Sequence, residues 1–210
     1  LVFSRTSPQT HDSSNSPAHG YLYANGSFSF FDYPSASSTI PWGINDFDMI
    51  SGTAFLFGNT AAVGFLYDGT SFTKIRVPGT TATILRGINN AEVLVGAEGS
   101  LGGTKGLEKI GVTLKTFSPP GTYVTVIGDG INNLGQIVGT ADETAFYLAH
   151  GKFTSVAFPG SSWTQALGIN DNGIIVGWYI TSTCLPCGFA LKQGKYVTIN
   201  YPGAAFTTPA

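Results

Sequence analysis

The sequence predicts an all-β fold: a five-bladed β-propeller of four-stranded antiparallel blades, closed by pairing of its N- and C-terminal strands. Three observations predict it. First, a hairpin motif recurs four times, with leading glycines Gly43, Gly87, Gly130 and Gly168 spaced 44, 43 and 38 residues apart. Second, a strand–turn–strand motif ending at proline alternates with that hairpin along the chain. Third, no segment shows helical periodicity, while a 13% aromatic share and 28 glycines fit short strands joined by tight turns. A period near 40 residues with four short strands per repeat is the signature of a propeller blade.

The hairpin is clearest at residues 168–177. Ile169 is an apolar strand residue, Asn170-Asp171-Asn172-Gly173 is turn chemistry, and Ile174-Ile175-Val176 is a β-branched run. Asn, Asp and Gly tolerate the positive φ that tight hairpin turns demand. The other copies are Gly43-Ile44-Asn45-Asp46, Gly87-Ile88-Asn89-Asn90 and Gly130-Ile131-Asn132-Asn133, each followed by a strand ending in glycine.

Taken in order, Leu1-Val2-Phe3-Ser4 aligns with a second strand, and residues 5–18 read as a polar loop. His19 opens a third strand, Asn25-Gly26 is its turn, and residues 28–33 return to Pro34. The same unit recurs around Asp68-Gly69, His150-Gly151 and Gln193-Gly194, each fourth strand stopping at Pro-Gly. Proline suits a strand end because it donates nothing to the ladder. The third copy departs from the pattern, since Lys105-Gly106-Leu107-Glu108 lacks the aromatic. The units run at about 19–60, 61–103, 104–143, 144–186, and 187–210 with 1–18. The tail after Pro202-Gly203 matches the start of a first strand, so it is expected to supply the strand that the N-terminal blade lacks. The chain opens at Leu1, as a processed or incomplete N-terminus does.

Net charge is −2 with no basic run, which argues against nucleic acid and an anionic membrane surface as partners. No apolar run reaches the length of a membrane span, so no membrane insertion is expected. A surface rich in Ser, Thr, Asn and Gly reads as extracellular. Cys184-Leu185-Pro186-Cys187 is a lone pair: a redox motif wants a neighbouring helix, and a zinc site wants two more ligands. A disulfide clipping a surface loop is the reading that fits an oxidising compartment.

In the order and spacing of these motifs, from His19 to Gly203, the chain resembles the bacterial extracellular repeats of the HAF family. That resemblance implies secretion or surface display and carries over no catalytic residue.

Candidate chemistry is sparse. His11, His19 and His150 fall at different repeat positions, so no metal site is expected. The carboxylates Asp46, Asp48, Asp129, Asp142, Glu143 and Asp171 are scattered, which does not favour paired-acid hydrolysis. Asp46 and Asp48 could face calcium, but a turn aspartate has the simpler task of bonding its own backbone. No catalytic residue and no cofactor is therefore assigned. The position before each Gly-Ile-Asn holds Trp42, Arg86, Asp129 and Leu167 in successive units. A repeat position that varies so freely serves more than the blade, and it defines a candidate ligand-binding cup at one end of a central channel. Arg86 and Asp129, opposite charges at matched positions of neighbouring units, are expected to pair. Trp163, Trp178, Tyr179, Tyr21 and Tyr23 are candidates for stacking on sugar rings.

The function expected from these readings is a non-enzymatic extracellular structural or interaction propeller that self-assembles. The alternative is a lectin-like glycan binder, with a glycoside hydrolase third.

Overall fold

The computed structural model describes residues 18–58, 61–100 and 102–209, and every regular element in them is a β-strand. The expected strand Leu1 to Ser4, and its pairing beside Tyr21 to Tyr23, lies outside the described residues.

Strands β1 (Gly20–Ala24) and β2 (Ser27–Phe31) form a two-stranded antiparallel sheet. Its turn uses Asn25 at φ 51° and Gly26 at φ 80°, the two left-handed residues that match the twist of a two-residue hairpin. Strands β3 (Ala36–Ile44), β4 (Ile50–Leu56), β5 (Ala62–Tyr67) and β6 (Phe72–Ile75) follow as an antiparallel meander. The next meander comprises β7 (Ala82–Ile88), β8 (Leu94–Ser100), β9 (Gly103–Ile110) and β10 (Thr113–Phe117). A single parallel bridge, Ala62 to Ala82, joins these two meanders into one eight-stranded sheet. Two further four-stranded sheets complete the array. One is β11 (Val126–Ile131), β12 (Ile137–Ala141), β13 (Thr144–Ala149) and β14 (Lys152–Ser155). The other is β15 (Trp163–Ile169), β16 (Ile175–Thr181), β17 (Cys184–Lys192) and β18 (Lys195–Ile199).

Each sequence repeat thus straddles two sheets, giving the last two strands of one and the first two of the next. The core follows from that arrangement, as four clusters that lie between adjacent sheets rather than within one. Phe31 packs on Ile50, Ala54 and Phe65; Ile75 packs on Leu85, Leu94 and Leu107. Val95 packs on Val126, Ile137 and Phe146; Val138 and Val156 pack on Ala166, Ile175 and Phe189. In the divergent third copy Leu107 is fully buried where the other units place Phe65, Phe146 and Phe189, so the blade survives loss of the aromatic.

The disulfide Cys184–Cys187 is present, with Cα atoms 5.7 Å apart. It does not clip a free surface loop. It lies at the start of β17, paired to β16, with Cys187 buried in the last cluster. The physical reason is that both neighbours of the pair, Tyr179 and Phe189, are core residues, which draws the segment inward.

The tail also takes a defined place. Tyr201 donates its backbone N–H to Thr207 Oγ1 at 2.9 Å, and the Thr207 N–H reaches Pro186 O at 3.3 Å. The same six-residue clasp ends three of the four earlier strand groups: Tyr33 to Thr39, Val77 to Thr83 and Phe158 to Thr164. In each of those, the threonine lies in the first half of the first strand of the following meander.

Because Phe65, Phe146 and Phe189 each fill the space between two sheets, truncating any one to alanine is expected to cost about 3–5 kcal/mol. Urea denaturation of the three variants measures it, and a loss below about 1 kcal/mol would place the core elsewhere.

Candidate functional site

Every first strand carries a one-residue register shift before its Gly-Ile-Asn. The shifts fall between Pro41 and Gly43, Leu85 and Gly87, Gly128 and Gly130, and Ala166 and Gly168. The extra residue of each bulge is Trp42, Arg86, Asp129 or Leu167, the four positions singled out from the sequence. A bulge leaves its extra residue out of the ladder and re-aims the side chain, which is why this position varies while its neighbours repeat.

Three of the four come together. Arg86 Nη1 forms an ion pair with Asp129 Oδ1, the neighbour expected from the repeat register. The guanidinium also lies 4.8 Å from the ring centroid of Trp42, a cation–π contact. Leu167 is half-buried and its side chain takes no part in this polar row. Asp129 is buried, and it accepts a hydrogen bond from Thr140 Oγ1 at 3.1 Å and another from Gln165. Thr140 and Gln165 were not legible as site residues, because they approach from a second strand and from the next sheet. Burial pushes the Asp129 carboxyl up to about 6, the Arg86 charge offsetting only part of that cost. Arg86 Nε is buried without a hydrogen-bond partner.

Beside this row runs an amide ladder. Asn45 Nδ2 donates to Asn89 O at 3.1 Å, Asn89 Nδ2 to Asn132 O at 3.1 Å, and Asn132 Nδ2 to Asn170 O at 3.0 Å. Each Oδ1 meanwhile accepts two backbone N–H groups of its own turn, as Asn89 does from Ala91 and Val93. A second ladder lies outside it. Asn90 Nδ2 donates to Asp46 Oδ2 at 2.7 Å, and Asn133 Nδ2 to Asp171 Oδ2 at 2.9 Å. These bonds hold the Asp171 carboxyl below its usual range. The turn carboxylates therefore tie sheets together, and among the described residues no group of three or more His, Cys, Asp or Glu gathers for a metal.

The aromatic candidates separate. Tyr179 is buried and stacks on Phe158 with centroids 3.6 Å apart, so it belongs to the core. Trp163 and Trp178 face each other at 5.4 Å. Tyr21 and Tyr23 lie on one face of the β1–β2 sheet with Phe28. A groove of about 360 Å³ lies beside β8 and β9, lined by Glu98, Ser100, Thr104, Lys105 and Tyr123.

Repeated four-stranded antiparallel meanders, stacked face to face and tied along their first strands, define an all-β, propeller-like protein. Two solved structures of similar shape agree. A streptogramin B lyase structure matches with a TM-score of 0.53 at 12% identity, over 91% of this chain and 64% of that one. A prolyl endopeptidase structure matches with a TM-score of 0.58 at 11% identity, over 96% of this chain and 34% of that one. A mutant Aleuria aurantia lectin in complex with Fucα1-6GlcNAc gives a lower TM-score of 0.49 at 10% identity, over 90% of this chain and 72% of that one, a likeness too weak to carry an argument. This chain spans less than two thirds of the first two, and identities this low bear on fold alone. No protein-family model and no curated protein sequence matches the chain.

Two predictions follow from the ladders and the ion pair. Asn89→Asp keeps both turn acceptors but replaces the donor to Asn132 O with a carboxylate oxygen, and is expected to cost about 2–4 kcal/mol. Asn170→Ala, at the exposed end of the ladder, should cost about 1 kcal/mol, and equal losses in thermal melts would deny the ladder its role. For Asp129, the folded value of about 6 stands above the ordinary 3.8, so the folded protein holds the proton more tightly. Stability from this group is full below about pH 4 and declines as pH rises through 6. Arg86→Leu leaves the carboxylate uncompensated and should cost on the order of 3–5 kcal/mol at pH 7. Denaturation at pH 5 should recover much of that loss, and a pH-independent loss would break the account.

Proposed function

We propose that the protein is a non-enzymatic extracellular structural module, a five-bladed β-propeller that acts by associating through its apolar sheet faces. The observation that carries this reading is a contrast in how side chains are used. The reactive groups of the bulge row and the ladders are engaged with one another, whereas large apolar groups are displayed on the outermost sheets. On β1–β2, Phe28 and Phe30 are exposed; beyond β17, so are Val197, Ile199 and Tyr201. Monomeric proteins rarely leave contiguous patches of this kind unused.

In this reading β1 and β2 are the third and fourth strands of a fifth blade, and pairing of an N-terminal strand with the C-terminal strand of a neighbouring copy completes it. The clasp at Tyr201 and Thr207 supports that, since its counterparts each lead into a first strand. The disulfide supports an oxidising compartment, and no helix among the described residues is long and apolar enough to cross a membrane. The resemblance of motif order and spacing to the HAF-type repeats, for which surface display is the expectation, supports the same reading.

A second reading, glycan binding, draws on the groove beside β8 and β9. There Tyr123 offers a partly exposed ring beside Glu98, Lys105 and Ser100, a mixture suited to a sugar's apolar face and hydroxyls.

Light scattering across a concentration series tests the leading reading: the average mass should rise with concentration. Truncation before residue 204 removes the Thr207 clasp, and should lower that association together with stability by about 1–3 kcal/mol. A constant monomer mass, with sugar-dependent protection of Tyr123, would favour the second reading instead.

A further inference from the structure

We infer that the partner for these faces is a second copy of this chain, bound head to tail, with the β15–β18 sheet of one copy against the β1–β2 sheet of the next. The inference rests on the reading above and names its partner. It comes from repeat register. Between adjacent sheets of the chain the same apolar contact is built repeatedly, and each time the two sides contribute different positions.

The earlier sheet contributes the residue opposite or beside the opening of its third strand. These residues are Phe31, Ile75 and Val156, and all three are buried by the sheet that follows. The same position on the last sheet is Ile199, paired with Gly188 as Phe31 is with Gly20 and Ile75 with Gly64. Ile199 is 38% exposed, against 9%, 5% and 2% for its counterparts. Two residues on, Tyr33, Val77 and Phe158 pack into clusters, whereas Tyr201 is 74% exposed.

The later sheet contributes an aromatic on its third strand and one diagonally across from it on the fourth. Phe65 with Phe72, Phe146 with Phe153, and Phe189 with Tyr196 fill this role. In register, β1–β2 carries Tyr21 and Phe28, 5.7 Å apart, and Phe28 is exposed. None of the described hydrophobic clusters joins this pair to β15–β18.

One end of the array therefore displays the giving half of the interface, and the other end the receiving half. The surfaces differ and fit each other, which is a heterologous contact that repeats from copy to copy. The clasp at Thr207 points the chain into the lane that a first strand occupies in the other sheets, and so toward the partner's β1 and β2.

The test uses two surface variants of the full chain, Tyr201→Asp and Phe28→Asp, followed by sedimentation velocity and negative-stain imaging. Wild type should form a concentration-dependent series of oligomers. Each variant alone should lose every species larger than a monomer, and an equimolar mixture should recover a dimer but nothing larger. That recovery arises because the Tyr201→Asp chain keeps its β1–β2 face and the Phe28→Asp chain keeps its β15–β18 face. Association abolished by only one variant, or no recovery on mixing, would overturn the head-to-tail contact and leave the broader reading standing. A wild-type monomer at every concentration would overturn both. In that case, efficient disulfide formation within a single chain carrying Phe28→Cys and Tyr201→Cys would identify ring closure as the occupant of both faces.

Discussion

The structure depends on one side chain repeated four times, the asparagine of Gly-Ile-Asn. Its amide oxygen caps its own hairpin turn, and in Asn45, Asn89 and Asn132 its amide nitrogen crosses to the turn of the next meander. A single residue thus fixes local backbone and relative placement of sheets together. Aspartate could cap the turn equally well but offers no donor, and serine is too short to bridge. Because the ladder is buried through Asn45, Asn89 and Asn132, each bond is made away from competing water, where an unpaired partner would be costly.

Close approach of the sheets has a second requirement. A Cβ on Gly43 would sit 2.6 Å from Arg86 O, and one on Gly130 would sit 2.8 Å from Leu167 O. Glycine at these two positions therefore lets neighbouring bulges meet backbone to backbone. Where the sheets diverge from that edge, large side chains fill the widening gap: Phe65, Phe146 and Phe189. Small residues at one edge and aromatics farther out fill the space between sheets.

Against that frame the bulge row carries the residues free to vary. Trp42, Arg86 and Asp129 form a continuous row of ring, cation and carboxylate, yet the contacts run among themselves. The carboxylate lies deep enough for burial to outweigh its partner's charge, and Thr140 and Gln165 supply the remaining bonds. What the row accomplishes is to couple three meanders electrostatically.

Local chemistry by itself determined a great deal here. Alternating apolar residues, Asn-Gly turns and terminal prolines specify strands and hairpins over short range, so the strand order and the Arg86–Asp129 contact were readable from repeat spacing. The bulges could not be read, because an extra residue in a strand shows only against its partner strand. Nor could the ladder: Asn45 and Asn89 look like turn residues, and their amide nitrogens acquire a role only when another turn is brought within 3.1 Å. The depth of Tyr179 and Cys187, and the exposure of Tyr201 and Phe28, were likewise decided by tertiary structure. Equivalent positions in a repeat share chemistry, but whether each is buried depends on whether a further sheet stands beside it.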